Sequence, residues 1–85
     1  MRSVGLGGVV EELEKRLLKV FRGYLVSFPR VYRSIDGQLV TAEIEVKSVL
    51  YAQLESLKEY FDGFSVEPKD GHLRIYAWKF IRGNV

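Results

Sequence analysis

His72-Leu73-Arg74-Ile75-Tyr76-Ala77-Trp78-Lys79-Phe80-Ile81-Arg82 is the stretch on which the fold and the function both turn. Its β-branched and aromatic content reads as a strand, and successive side chains of a strand point to opposite faces. One face then carries Leu73, Ile75 and Ala77, and the other carries His72, Arg74, Tyr76, Trp78, Phe80 and Arg82. A strand with water on one side should not place Tyr76, Trp78 and Phe80 there without a reason.

Asp70-Gly71 lies immediately upstream, preceded by Phe64 to Glu67. A two-residue turn at Asp70-Gly71 makes a hairpin with Glu67 opposite Arg74, Ser65 opposite Tyr76, Val66 opposite Ile75 and Phe64 opposite Ala77. A second Asp-Gly pair, Asp36-Gly37, separates Tyr24 to Arg33 from Gln38 to Lys47. Read as the same turn, it sets Arg30 opposite Glu43, Tyr32 opposite Thr41 and Phe28 opposite Glu45, with Val40, Ala42, Ile44 and Val46 on the core side. Tyr24, Phe28, Arg30 and Tyr32 then join the outer face.

Each hairpin follows a helical pattern. Leu6, Val10, Leu13, Leu17 and Phe21 recur at three- and four-residue spacing, with charged residues opposite, and the pattern ends near Gly23. Leu50, Leu54, Leu57 and Phe61 form a second stripe, with Ser48 expected as its N-cap and Gly63 as a left-handed stop. The two units match: Val20-Phe21-Arg22-Gly23-Tyr24-Leu25-Val26 aligns with Tyr60-Phe61-Asp62-Gly63-Phe64-Ser65-Val66 at an offset of forty. Duplication explains this, as does the common need of any helix and hairpin for Leu, Gly and Asp-Gly at these places. The expectation is an α+β fold of tandem helix-hairpin (αββαββ) units, with a four-stranded antiparallel sheet and both helices packed on one face. Its 85 residues make a single domain: 1–8 a flexible lead-in, 9–47 the first unit and 48–82 the second.

Composition narrows the class. Hydrophobic residues make up 47% and charged residues 28% of the chain, an ordinary globular balance that argues against disorder. There are no Cys residues, so neither disulfides nor a thiolate zinc site supports the fold. The apolar run Val4 to Val10 stops at Glu11, too short for a signal peptide or a membrane span, and an intracellular, cytoplasmic protein is expected. Scarce Asn, Gln and Met beside abundant Glu, Lys and Arg resemble a thermophile's composition. The net charge of +2 hides segregation: residues 1–35 carry seven Lys or Arg against three acids, residues 36–70 three against eight, and residues 71–85 three against none.

Three readings of the aromatic face stay open. It is a stacking platform for DNA or RNA, where each base on a ring contributes about 1–3 kcal/mol and arginines meet phosphates. Alternatively it is buried against a second copy in a homo-oligomer, a dimer in the simplest case, since Tyr, Trp and Arg also mark protein interfaces. In the third, the register slips by one, the aromatics enter the core, and Leu73, Ile75, Lys79 and Ile81 look outward.

Other constellations carry less chemistry. Gly5-Leu6-Gly7-Gly8 lacks the strand and the Lys of a phosphate loop, and Glu11 and Glu12 would repel an anion. Glu43 and Glu45 share one side of a strand but are expected to pair with Arg30 or Lys47 rather than hold a metal. His72, the single His, stands beside a turn with no nucleophile specified near it and reads as an exposed turn residue. No set of catalytic roles can be assigned, so neither enzyme activity nor a cofactor or metal is expected.

The helix-hairpin-helix-hairpin order, and particularly Leu54-Glu55-Ser56-Leu57-Lys58-Glu59-Tyr60-Phe61-Asp62-Gly63 running into a shorter hairpin, resembles the αββαββ core of LAGLIDADG homing endonucleases. The resemblance implies a sheet whose open face lies on DNA. That family's first helix ends in an acidic residue before Gly, whereas this one ends Phe21-Arg22-Gly23, so the resemblance implies no nuclease chemistry. The favoured expectation is a non-catalytic nucleic-acid-binding domain using Arg30, Tyr32, Arg74, Tyr76, Trp78, Phe80 and Arg82. The alternative is a homodimeric structural or adaptor protein that buries the same face.

Overall fold

Leu13, Leu17 and Phe21 lie three to four residues apart, which puts them on one side of a helix, and all three are buried. A computed structural model describes residues 5–81, with side chains from residue 8 onward. Its elements run α1 (Gly5–Val20), β1 (Arg30–Arg33), β2 (Leu39–Val46), α2 (Tyr51–Tyr60), β3 (Gly63–Lys69) and β4 (His72–Phe80). The fold is α+β, and the four strands form one antiparallel sheet in the order β1-β2-β4-β3. Leu13, Leu17 and Phe21 join Leu57 and Phe61 of the α2 region in one core with Val40, Ala42, Ile44, Val46, Ile75 and Ala77. Both helices therefore cover the same side of the sheet, and its other side is open. Arg82 lies outside the described residues, as does the first half of the expected lead-in; Gly5 to Gly8 belong to α1.

Both hairpin registers follow the Asp-Gly pairs. Arg30 faces Glu43 and Tyr32 faces Thr41 in the first, while Glu67 faces Arg74, Ser65 faces Tyr76, Val66 faces Ile75 and Phe64 faces Ala77 in the second. The slipped register is thereby overturned: Ile75 and Ala77 are buried with the helices, because Gly71 at φ +76° fixes a two-residue turn with Lys69 opposite His72. The first turn is longer than expected. Ser34 N donates to the Leu39 carbonyl at 2.8 Å, leaving residues 35–38 as the connection. The register survives because this four-residue loop is centred on the same Asp36-Gly37 pair. Asp36 organises the loop, accepting from Ser34 Oγ at 2.6 Å and from Gln38 N at 3.0 Å. The Ser34 bond, then the Gln38 bond, hold its carboxyl below its ordinary pKa.

Four local expectations are corrected. Phe28 does not face Glu45; Val26 N donates to the Glu45 carbonyl instead. Five steps separate Leu25 from Arg30 where the partner strand takes three from Val46 to Glu43, so the chain bulges around Phe28 and the fully buried Pro29, which has no N–H to give. Upstream of the bulge Tyr24 packs against the core instead of joining the outer face, because it belongs to the turn behind α1, where its N–H donates to the Phe21 carbonyl and strand alternation does not hold. Ser48 does not cap α2: the N-cap is Leu50, whose N–H donates to Gln53 Oε1 at 2.8 Å. Gly63 is no left-handed stop either, since α2 ends at Tyr60 with Phe61 as an extended C-cap, and Gly63 already belongs to β3. Gly23, its counterpart in the repeat, does take φ +82° behind α1.

Gln53 is the one buried polar side chain among the described residues. Its Nε2 donates to the Val20 carbonyl at 3.2 Å, tying the start of α2 to the end of α1 while its oxygen caps Leu50. Gln53→Leu keeps the volume and removes both bonds, so the urea midpoint should fall by about 1–2 kcal/mol in stability with an unchanged slope. A loss under about 0.3 kcal/mol would mean that water replaces both bonds.

Candidate interaction face

Alternation along β2 and β4 sends Leu39, Thr41, Glu43 and Glu45, with His72, Arg74, Tyr76, Trp78 and Phe80, to the open side. Because β4 lies between β2 and β3, each of its outward residues has neighbours on both flanks. The register arranges the face in rows. Glu45, Arg74 and Glu67 form one; Arg30, Glu43, Tyr76 and Ser65 the next; Tyr32, Thr41, Trp78 and Gly63 the third; Leu39 and Phe80 close it. The end near the Asp70-Gly71 turn is thus charged, and the opposite end is aromatic and apolar.

Of the residues expected from the sequence, Arg74, Tyr76, Trp78 and Phe80 stand together on β4, and Arg30 and Tyr32 lie on β1 across the width of β2. The glutamates of β2 fill that gap. Arg74 donates from Nε and Nη2 to Glu45 Oε2 at 3.1 and 2.9 Å, and from Nη1 to the Tyr76 hydroxyl at 2.9 Å. Tyr32 donates its hydroxyl to Glu43 Oε2 at 2.8 Å, while Arg30 Nη1 lies 3.9 Å from Glu43 Oε1. His72 is half-buried rather than exposed: Nε2 lies 3.1 Å from Glu45 Oε1 and Nδ1 3.0 Å from the Asp70 carbonyl. The expected pairing of Glu43 with Arg30 is present, but Glu45 pairs with Arg74 and His72 rather than Lys47.

These bonds set the electrostatics. The hydrogen bond from Arg74 holds the Glu45 carboxyl below its ordinary pKa against its own desolvation, with the Arg74 and His72 charges adding to the effect. The Tyr76 hydroxyl and then Glu45 raise the Arg74 guanidinium. The bond to Glu43, and then burial, raise the Tyr32 phenol. A carboxyl whose pKa is lowered by folding stabilises the fold above its unfolded value near 4.3, and loses that contribution as pH falls through the folded value. Melting temperature should therefore fall on acidification below about pH 5. Glu45→Gln should be less stable than wild type at pH 7, and the difference should close toward pH 3. A difference that stays constant over that range would show that the Glu45 charge contributes nothing.

Trp78 has a different support. A Cβ built on Gly63 would lie 2.6, 2.7 and 2.8 Å from Trp78 Cζ2, Cε2 and Nε1. Three consecutive ring atoms at nearly equal distance place that methyl on the face of the indole. The ring thus lies flat over Gly63 on the edge strand, with its other side turned away from the sheet. Sequence reasoning did not count Gly63, Glu43, Glu45, Thr41 or Leu39 in the face. The alternation of Glu43 and Glu45 with Val40, Ala42 and Ile44 was visible, but the position of these two glutamates between two arginine-bearing strands depends on the order β1-β2-β4-β3.

Among the described residues, no group of three or more His, Asp or Glu is gathered as a metal site, and no helix is long and apolar enough to cross a membrane. Compared with protein-family models, with curated proteins and with solved structures, the chain finds no match.

Proposed function

We propose that the protein is a non-catalytic protein-interaction module that works through its open sheet face. The observation that carries this reading is the engagement of Arg74 by Glu45 through two nitrogens, repeated more loosely by Arg30 and Glu43. A nucleic-acid groove keeps its cations for phosphates, whereas here each arginine has a carboxylate in its own row. Protein interfaces combine such a balanced polar margin with an apolar centre of aromatic residues. Tyr32, Trp78, Leu39 and Phe80 supply the apolar part, gathered at the end of the face away from the Asp70-Gly71 turn.

A second reading, single-stranded nucleic acid, is favoured by the flat indole of Trp78, because a base can stack on the outward side of the ring. A sheet laid on DNA is also what the resemblance to LAGLIDADG endonucleases implies. One titration separates the two. Trp78 is the single Trp of the chain, so its emission reports on this face. Oligo-dT and oligo-rU added at low salt should leave the emission unchanged. Quenching that is reversed by salt would overturn the protein reading and establish the nucleic-acid one.

A further inference from the structure

The rows of the open face are complementary to themselves under one particular symmetry. A two-fold axis lying between two facing sheets, parallel to the strands and midway between β2 and β4, exchanges these two strands and keeps every row opposite its own copy. Glu45 then faces Arg74 of the second copy, Leu39 faces its Phe80, and Thr41 faces its Trp78, each contact made twice. The in-plane axis at right angles to the strands instead lays the charged end on the apolar one, stranding Glu45 against Leu39 and Arg74 against Phe80. Only the first arrangement matches charge to charge and apolar to apolar.

We infer that the partner of this face is a second copy of the chain, packed face to face about the strand-parallel axis. The inference rests on the protein-interaction reading and names its partner. The strands of the sheet run to four, eight, nine and seven residues in the order β1-β2-β4-β3. At about 4.8 Å between strands and about 3.3 Å per residue, each copy offers a face of roughly 440 Å². A pair buries on the order of 900 Å², the size of a weak, transient complex. The dimer is therefore one that dissociates on dilution. The sheets pack aligned at about 30°, as sandwiches do, so the matching is closest near the axis, where β2 and β4 meet.

The axis makes a prediction that no other arrangement shares. Arg74→Glu gives a chain with acids at both positions 45 and 74, and Glu45→Arg gives one with arginines at both. Each facing its own copy meets like charge, whereas one of each restores both pairs. Sedimentation equilibrium up to about 1 mM should show the wild type approaching twice its 9.8 kDa mass, each variant alone a folded monomer by circular dichroism, and the equimolar mixture a dimer. Thr41→Lys, which adds a charge near the axis without touching the core, should also be monomeric.

A wild type that stays monomeric at the highest concentration overturns the second copy as partner. The protein reading itself stands or falls separately, on the oligonucleotide titration. A wild-type dimer with no recovery in the mixture overturns the axis. A monomer whose Trp78 emission is quenched by oligo-dT overturns both.

Discussion

Phe21→Ala should remove about 3–5 kcal/mol of stability, the range for deleting a fully buried aromatic side chain. An 85-residue domain has roughly 4–13 kcal/mol in all, so the variant stands near the edge of folding at room temperature. Phe21 has no exposed surface and is the largest fully buried side chain in the structure. It follows directly after α1, where its N–H donates to the Leu17 carbonyl at 3.0 Å and its carbonyl accepts from Tyr24 N at 2.8 Å. That backbone is held on both sides and cannot move into the space the ring leaves, so the cavity persists. Urea unfolding followed by circular dichroism measures the loss. Tyr51, 78% exposed at the start of α2, is the control: Tyr51→Ala should change stability by less than about 0.5 kcal/mol. A loss under about 1 kcal/mol at Phe21 would show that the junction of helices and sheet repacks freely.

Phe21 also shows how far the sequence could be read. Its place in the stripe Leu13, Leu17, Phe21 needs only helical periodicity, and the matching stripe through Leu57 and Phe61 is buried in the same core. The hairpin registers were equally legible, because an Asp-Gly pair fixes pairing by its position even when, as at Asp36-Gly37, the connection is longer than two residues. Less legible were features that depend on contacts distant in sequence. Leu50 caps α2 only because Gln53 is held between two helix ends, so the polar Ser48 two residues earlier misleads. Pro29 has no N–H and so marks a break in the ladder, but the two-residue slip at the bulge, which exchanged Phe28 for Val26 beside Glu45, is not written in that residue.

The candidate face divides along the same line. Which residues point outward follows from alternation alone. What they do to each other follows from strand order, which periodicity does not encode. Arg74 looks like a phosphate ligand until the strand order sets Glu45 beside it, whereas the Arg30–Glu43 pair needed only the first hairpin. The repeat misleads in a related way: Gly23 and Gly63 align at an offset of forty, yet one turns the chain at φ +82° and the other lies extended beneath an indole. Matching residue types answered different physical demands.

Gly63→Ala should expel Trp78 from the sheet, with a loss of about 1–3 kcal/mol and a red shift of the tryptophan emission. Gly63 has no positive φ, so alanine meets no backbone strain there and would by itself stiffen the unfolded chain by about 0.4–1 kcal/mol in favour of folding. Against that gain stands a methyl 2.6 Å from Cζ2 of the ring, a distance that carbon atoms do not occupy. The β3 backbone is fixed by its ladder with β4, so the indole is what moves, and it moves toward water because Ile75 and Ala77 already fill the far side of the strand. Gly71→Ala separates this from ordinary glycine chemistry. Nothing lies within 4 Å of its added Cβ, but its φ of +76° is strained for any side chain, so it should cost about 1 kcal/mol with no change in emission. If Gly63→Ala left both the emission maximum and the melting temperature unchanged, the flat seat of Trp78 would be wrong. The platform that either partner of this face requires would be wrong with it.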